Sequence, residues 1–259
     1  MSVASPLDVQ GIAAALGALA SRFDVDVLAE CDSTNARLLV RAEAGAGSGT
    51  VIAAERQTAG RGRMGREWIS APADSLTFSL LWRFAPGTAL GGLSLAVGVA
   101  LAEALAGLGI SGVALKWPND VLRGGGKLAG VLIELVPGAP QSAVIGIGIN
   151  LRLPPAMPEA LKSQATALDV DLPRSELLAR LLVSLHGVLE EFAGGGFVAL
   201  RSRWLRHCAH RERPVRVVSE FAVPVEGRCM GVDVDGALLV ETAVCVQRIL
   251  SGDVSLRYP

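Results

Sequence analysis

At Pro214 the texture of this chain changes, and the change limits what it can fold into. Upstream, helical and strand patterns alternate. Downstream, residues 215–218, 223–229, 237–241 and 245–250 read as short strands, with turns at Asp233-Val234-Asp235-Gly236 and Ser251-Gly252-Asp253. A tail of about 45 residues is too small to hold a stable core by itself. It is therefore expected to pack on the larger unit, with the boundary near 211–214 and units of 1–212 and 213–259.

The larger unit has the means to bury a core, since hydrophobic residues make up 51% of the 259 and charged residues 19%. Residues 8–22 and 93–108 carry helical patterns, and 36–44 is a helix with Ser33 or Thr34 as its N-cap. Residues 174–192 and 197–205 are two helices separated by Gly194-Gly195-Gly196. Strands are expected at 24–30, 50–54, 75–82, 113–116, 131–135 and 144–150, and 154–164 reads as irregular. The last of these strands, Val144-Ile145-Gly146-Ile147-Gly148-Ile149-Asn150, holds two glycines, which mark close approach by a ligand or another chain segment.

A formal charge of -1 argues against a general nucleic-acid or membrane-surface binder. No apolar run long enough to span a bilayer is read, and residues 1–10 show no signal-peptide pattern. The four cysteines lie far apart without a Cys-x-x-Cys pair, which fits a reducing cytoplasm. His207, Cys208 and His210 lack a fourth ligand at zinc spacing, so no protein-bound metal is expected.

The chemistry concentrates in residues 55–69. Gly60, Gly62, Gly65, Arg61, Arg63 and Arg66 fall within seven positions. Glycine lets the backbone approach a ligand, and arginine supplies a permanent charge in a planar fork suited to phosphate or carboxylate. A mobile cationic loop that closes on an anionic small molecule is one reading. The Gly-x-Gly-x-x-Gly string also matches a dinucleotide fingerprint, but no acid lies between Asp74 and Glu103 to hold a ribose. An RNA-binding arginine-glycine segment and a solvated turn are the other readings.

Two further clusters carry charge. Lys116-Trp117-Pro118-Asn119-Asp120 ends a strand and places a lysine, an amide and a carboxylate within five residues. Asp120 can orient Lys116, accept from a ribose or hold Mg²⁺, or it can form a surface ion pair beside a buried tryptophan. After the Arg123–Gly126 turn comes Lys127-Leu128-Ala129-Gly130. It fails as a P-loop, because Val121 stands where glycine is required and Leu128 where Ser/Thr is required.

Asp32-Ser33-Thr34-Asn35, the Gly-Arg-Gly-Arg-Met-Gly-Arg run, Lys116-Trp117-Pro118-Asn119-Asp120, Lys127-Leu128-Ala129-Gly130 and Gly146-Ile147-Gly148-Ile149-Asn150 stand in one order. In that order the chain closely resembles the biotin protein ligases from about residue 30 to its end, including Arg213-Pro214-Val215 and Ser255-Leu256-Arg257. The resemblance implies an α/β (α+β) catalytic domain with a mixed sheet, related to class II aminoacyl-tRNA synthetases, followed by an SH3-like β-barrel. It also implies two half-reactions. Biotin and MgATP form biotinyl-5′-AMP, and the acyl group passes to one lysine of a biotin carboxyl carrier protein, as in acetyl-CoA carboxylase.

By the same resemblance Ser33, Thr34, Asn35, Gln57, Gly60, Arg61, Gly62, Arg63, Lys127 and Gly130 surround biotin or its adenylate. Arg63, Arg66, Trp68, Lys116, Asn119, Asp120, Lys127 and Asn150 serve the nucleotide end. Arg63 and Lys127 are assigned to bringing the two anions together, with Lys116 beside them and Asp120 as acceptor of the attacking lysine's proton. Many family members carry a tryptophan beyond the Gly-Ile-Asn strand that stacks on adenine. Residues 163–167 here have no aromatic, so Trp68 must stack or the contact is weaker. The short leader is read as a monofunctional ligase without operator binding, either monomer or homodimer. A lipoate–protein ligase and a non-enzymatic ligand-sensing module are the alternative readings.

Overall fold

The computed structural model describes residues 6–155, 157–219, 223–250 and 254–257. Seven strands build the main sheet: β1 (Asp24–Cys31), β2 (Thr50–Gln57), β3 (Ser75–Arg83), β4 (Val113–Lys116), β5 (Asp120–Arg123), β6 (Gly126–Val136) and β7 (Ala139–Asn150). Their order is β1-β2-β3-β7-β6-β5-β4. Only β1 and β2 pair in parallel, and the rest pair antiparallel. The helices are α1 (Val9–Leu16), α2 (Thr34–Glu43), α3 (Leu93–Gly107), α4 (Glu159–Lys162) and α5 (Arg174–His207). Helix α5 is interrupted at Gly196 (φ 62°, ψ −167°), within the expected glycine break.

Strand alternation assigns the two faces of this sheet. Side chains of successive strand residues point to opposite faces. In β3, Leu76, Phe78, Leu80 and Trp82 enter the main core, as do Ile145, Ile147 and Ile149 of β7. This core is closed by α3 and α5, with α1 packed on α5. The other face carries the alternate residues. There α2 covers one part, where Leu38 and Ala42 meet Ile52, Leu81 and Val144. Beyond α2 the same face presents Thr77 and Ser79 of β3, paired with Gly148 and Gly146 of β7. Gly130 and Leu132 of β6 continue it, opposite the same two glycines. Small residues in adjacent register leave a hollow that no helix fills.

Helix α5 is long and apolar enough to cross a membrane by length and composition. Its leucines are instead buried in the core it shares with α3, so it acts as a core helix. One buried ion pair fixes its start. Arg174 grips Glu55 through Nη1 (2.7 Å) and Nη2 (3.0 Å), and Glu55 also accepts from the Leu7 amide at 2.6 Å. The Arg174 side chain is only 3% exposed. Removing one member of a buried pair strands the other charge in the interior, at a cost of about 3–5 kcal/mol. Glu55→Gln is therefore expected to lower Tm by about 10 °C. An unchanged melting curve in calorimetry would contradict the assignment.

The C-terminal strands are β8 (Pro214–Ser219), β9 (Val225–Val232), β10 (Leu238–Glu241), β11 (Val246–Ile249) and β12 (Val254–Arg257), in the antiparallel order β11-β10-β9-β8-β12. As expected, this module leans on the larger unit. Val215, Val217, Cys229, Val232, Leu238 and Val240 join the main core. The buried Trp117 donates from Nε1 to the Gly236 carbonyl at 3.0 Å, and Arg201 Nε donates to Val232 O at 2.7 Å.

Several local expectations need correction. The Lys116–Asp120 segment is a hairpin rather than a bare strand end, because Asp120 starts β5 and pairs with Lys116. The 154–164 segment holds the one-turn helix α4. Strand β2 runs on to Gln57, and β12 was not expected at all. The turn at residues 251–253 lies outside the described residues.

Candidate active site

The hollow beside α2 becomes a cavity of about 790 Å³ once the segments around it are added. The floor is set by the glycines of β6 and β7. A Cβ at Gly146 would lie 2.2 Å from Asn35 Oδ1, and one at Gly148 would lie 2.3 Å from Trp68 Cε2. The glycines thus admit side chains from other segments, which a larger residue would exclude.

One end is neutral and hydrogen-bonding. Ser33, Thr34 and Asn35 open α2, and all three are buried. Ser33 occupies the N-cap with extended backbone (φ −153°, ψ 132°), but its hydroxyl makes no capping bond. Gln57 does that work from the end of β2, where Oε1 accepts from the Thr34 amide at 2.7 Å and from Thr34 Oγ1 at 3.1 Å. Asn35 is held by Ser79 Oγ at 2.5 Å and donates to Glu134 Oε2 at 2.7 Å.

The opposite end is cationic. Lys127 Nζ lies 2.6 Å from Asp120 Oδ1, while Lys116 Nζ lies 4.0 Å from Asp120 Oδ2, so one carboxylate spans two ammonium groups. The hairpin fold of Lys116–Asp120 is what turns both side chains the same way. Arg63 Nη1 reaches Asn119 Oδ1 at 3.5 Å. Asn119 is itself locked to Val131, donating from Nδ2 at 2.8 Å and accepting from the Val131 amide at 3.0 Å.

Residues 60–68 form a lid-like hairpin over this end. Gly62 N donates to Arg66 O (2.7 Å), Trp68 N donates to Gly60 O (2.9 Å), and Arg61 and Glu67 form a bridge. A strand does precede the glycine motif, but the motif itself ends in a three-residue 3₁₀ turn, Arg63–Gly65, and Arg66 after it is extended, so no helix opens there. That removes the dinucleotide reading. Arg61 pairs with Glu134 at 3.3 Å, and Arg66 Nε donates to Arg63 O at 3.2 Å. The Trp68 ring lies on the glycine floor, with Lys127 Nζ 5.8 Å from its centroid. Its Nε1–H is buried without an acceptor among the described residues, a costly arrangement for a donor.

All of the site residues expected from the sequence line this cavity except Gly60. Gly60 is buried behind the hairpin, where a Cβ would meet Trp68 O at 2.5 Å. It shapes the loop and does not face the cavity. Asn150 lines the cavity but spends its amide on the carbonyls of Lys127 (3.2 Å) and Thr166 (3.1 Å), so it holds the Lys127 segment in place.

His210 and Arg213 also line the cavity and were missed. They sit between the two units, and although Arg213-Pro214-Val215 and the His207-Cys208-His210 cluster stood out in the sequence, neither was assigned to the site. His210 is buried, and burial together with the neighbouring charges of Lys116 and Arg213 lowers its pKa from 6.5 to about 4. It is neutral at pH 7. In the unfolded chain it binds a proton below about 6.5, so folding stability is expected to fall as pH drops from about 6.5 towards 4. Denaturant midpoints measured across that window should decline less in His210→Asn. Parallel declines would reject the assignment.

A neutral hydrogen-bonding end, a glycine floor and a cationic end under an arginine hairpin define an enzyme site for a polar-headed acid and a phosphate-bearing second substrate. The family described as Biotin/lipoate A/B protein ligase matches residues 28–150, and the Biotin protein ligase C terminal domain matches residues 211–257. The biotin--[acetyl-CoA-carboxylase] ligase of Mycobacterium tuberculosis is 35% identical, covering 96% of this chain and 95% of that one. The bifunctional ligase/repressor BirA of Salmonella typhimurium is 37% identical over 90% of this chain and 74% of its own length. The Aquifex aeolicus biotin protein ligase in complex with biotin and ATP superposes with a TM-score of 0.81 at 33% identity, covering 91% of this chain and 99% of that one. This chain belongs to the biotin protein ligase family.

Proposed function

We propose that this chain joins biotin to AMP with release of pyrophosphate, then passes the biotinyl group to a lysine of a biotin carboxyl carrier protein such as that of acetyl-CoA carboxylase. The observation that carries the reading is a single cavity with a neutral polar end and a cationic end. Biotin's ureido ring needs paired donors and acceptors, which Ser33, Thr34 and Gln57 supply. Its carboxylate then extends over the glycine floor towards Lys127 and Arg63.

Both substrates are anionic, and the first step must hold them in contact. A carboxylate oxygen attacks the α-phosphorus and pyrophosphate leaves. Arg63, Lys116 and Lys127 offset the charge that gathers on the phosphorus oxygens. Trp68 offers the aromatic surface for adenine in place of the absent downstream tryptophan. In the second step the acceptor amine attacks the mixed anhydride carbonyl, AMP leaves, and Asp120 receives the amine's proton.

Mg²⁺ fits as a companion of the nucleotide. Among the described residues no group of three or more His, Cys, Asp or Glu is placed to hold an ion. Asp120 is a carboxylate beside the expected phosphates, and Mg²⁺ takes most of its ligands from phosphate and water. The ion would supply charge neutralisation on the leaving pyrophosphate.

We place the division between catalytic and SH3-like units at 212/213 and the reaction in the cytoplasm, where the four free thiols stay reduced. The test is incubation of the protein with biotin, MgATP and a carrier domain. Biotin-dependent ATP–pyrophosphate exchange and a mass gain of one biotinyl group on the carrier are expected, with lipoate inert. Lack of both with biotin, or gain with lipoate alone, would overturn the reading.

A further inference from the structure

Glu134 does not line the cavity, yet a run of side-chain hydrogen bonds leads from it to the neutral end. It shares a face of β6 with Leu132, the face of the hollow. Glu134 Oε2 accepts from Asn35 Nδ2 at 2.7 Å and from Arg61 Nη2 at 3.3 Å. Asn35 Oδ1 lies 2.5 Å from Ser79 Oγ, and Ser79 Oγ lies 2.7 Å from Thr34 Oγ1. Ser79 is fully buried in β3 behind the cavity wall, whereas Thr34 and Asn35 line the cavity.

Glu134 fixes the direction of every bond in this run. A carboxylate paired with arginine only accepts, as does the Leu132 carbonyl, which takes Asn35 Nδ2 at 3.4 Å. The Asn35 amide therefore turns its NH₂ towards β6 and its oxygen towards Ser79. Ser79 has one hydroxyl hydrogen and spends it on Asn35 Oδ1. Its oxygen is left to accept from the Thr34 hydroxyl. The other acceptor for that hydrogen is Gln57 Oε1 at 3.1 Å, which also belongs to the protein. Towards the cavity, Thr34 Oγ1 presents lone pairs alone.

We propose that Glu134 is a positioning residue for substrate recognition, which acts through Asn35 and Ser79 to make Thr34 Oγ1 an acceptor for a ring N–H of the biotin ureido group. The inference rests on the biotin reading above, and Glu134 itself touches no substrate. A glutamine in its place donates as well as accepts. The run can then reverse, and Thr34 can turn its hydrogen into the cavity against the ring N–H.

The experiment titrates biotin into the full chain by calorimetry without nucleotide and measures pyrophosphate exchange in parallel. Glu134→Gln is expected to weaken biotin binding and raise its KM by about tenfold, with kcat and the KM for ATP held within about twofold. Ser79→Ala cuts the run without touching Arg61 and should give the same selective loss. The double variant should lose little more than either single one, because both break one run. Unchanged biotin binding in Glu134→Gln, a loss shared equally by biotin and ATP, or an additive loss of about a hundredfold in the double variant would each overturn the proposal. A parent chain that binds no biotin fails the biotin reading itself. A parent that binds it while Glu134→Gln binds equally well fails this inference alone.

Discussion

Lys127→Ala is expected to lower kcat/KM for adenylate formation by about 10³-fold, or about 4 kcal/mol of transition-state stabilisation. Its ammonium lies at the cationic end of the cavity, 2.6 Å from Asp120 and 5.8 Å from the Trp68 ring centroid. In the proposed mechanism it stands between a carboxylate and a triphosphate, where no uncharged group can replace it. The fold should survive, because this position is held by its backbone. Lys127 N donates to Gln164 O at 2.8 Å, and Lys127 O accepts from Thr166 N at 2.9 Å. Lys127→Met, which keeps the aliphatic stem, should lose as much as the alanine variant. Pyrophosphate exchange measured at saturating biotin checks both. A loss below tenfold would remove Lys127 from the reacting centre.

Asp120→Asn is expected to slow acyl transfer from pre-made biotinyl-5′-AMP by about 10²-fold, the usual contribution of a positioned proton acceptor. Asp120 is also the carboxylate between Lys116 and Lys127, so adenylate formation should weaken as well. The two steps separate its roles. Supplying ready adenylate removes any need to align ATP, so a defect that persists lies in the transfer step. If transfer keeps its full rate while exchange falls, Asp120 is a positioning residue for the two lysines and accepts no proton.

Much of the site could be read from short-range pattern. Ser33-Thr34-Asn35 announced a helix start, and the helix does start there, although Gln57 caps it from another strand. The Ser-Leu-Thr-Phe-Ser-Leu-Leu-Trp alternation announced β3 and the glycines of β7 announced close approach, and the two strands pair to give one small-residue face. What fills that face was not legible. The side chains that approach Gly146 and Gly148 are Asn35 and Trp68, each far away in sequence. Gly60 stands beside residues that line the cavity but is itself buried against Trp68 and is not among the lining residues. Arg213 stood in the Arg213-Pro214-Val215 run and His210 in the His207-Cys208-His210 cluster, but neither pattern pointed to the cavity, which they reach because the C-terminal module docks where it does.

Residue order alone determined which side chains carry charge, where glycines interrupt β7 and that short strands recur after Pro214. Those properties follow from local spacing, because strand period and turn chemistry act over a few residues. Tertiary structure decided the pairing of Asp120 with both lysines, the seat of Trp68 and the wall supplied by residues 208–213. Those contacts depend on sheet register and on how one core is shared between two units, and no local pattern encodes either.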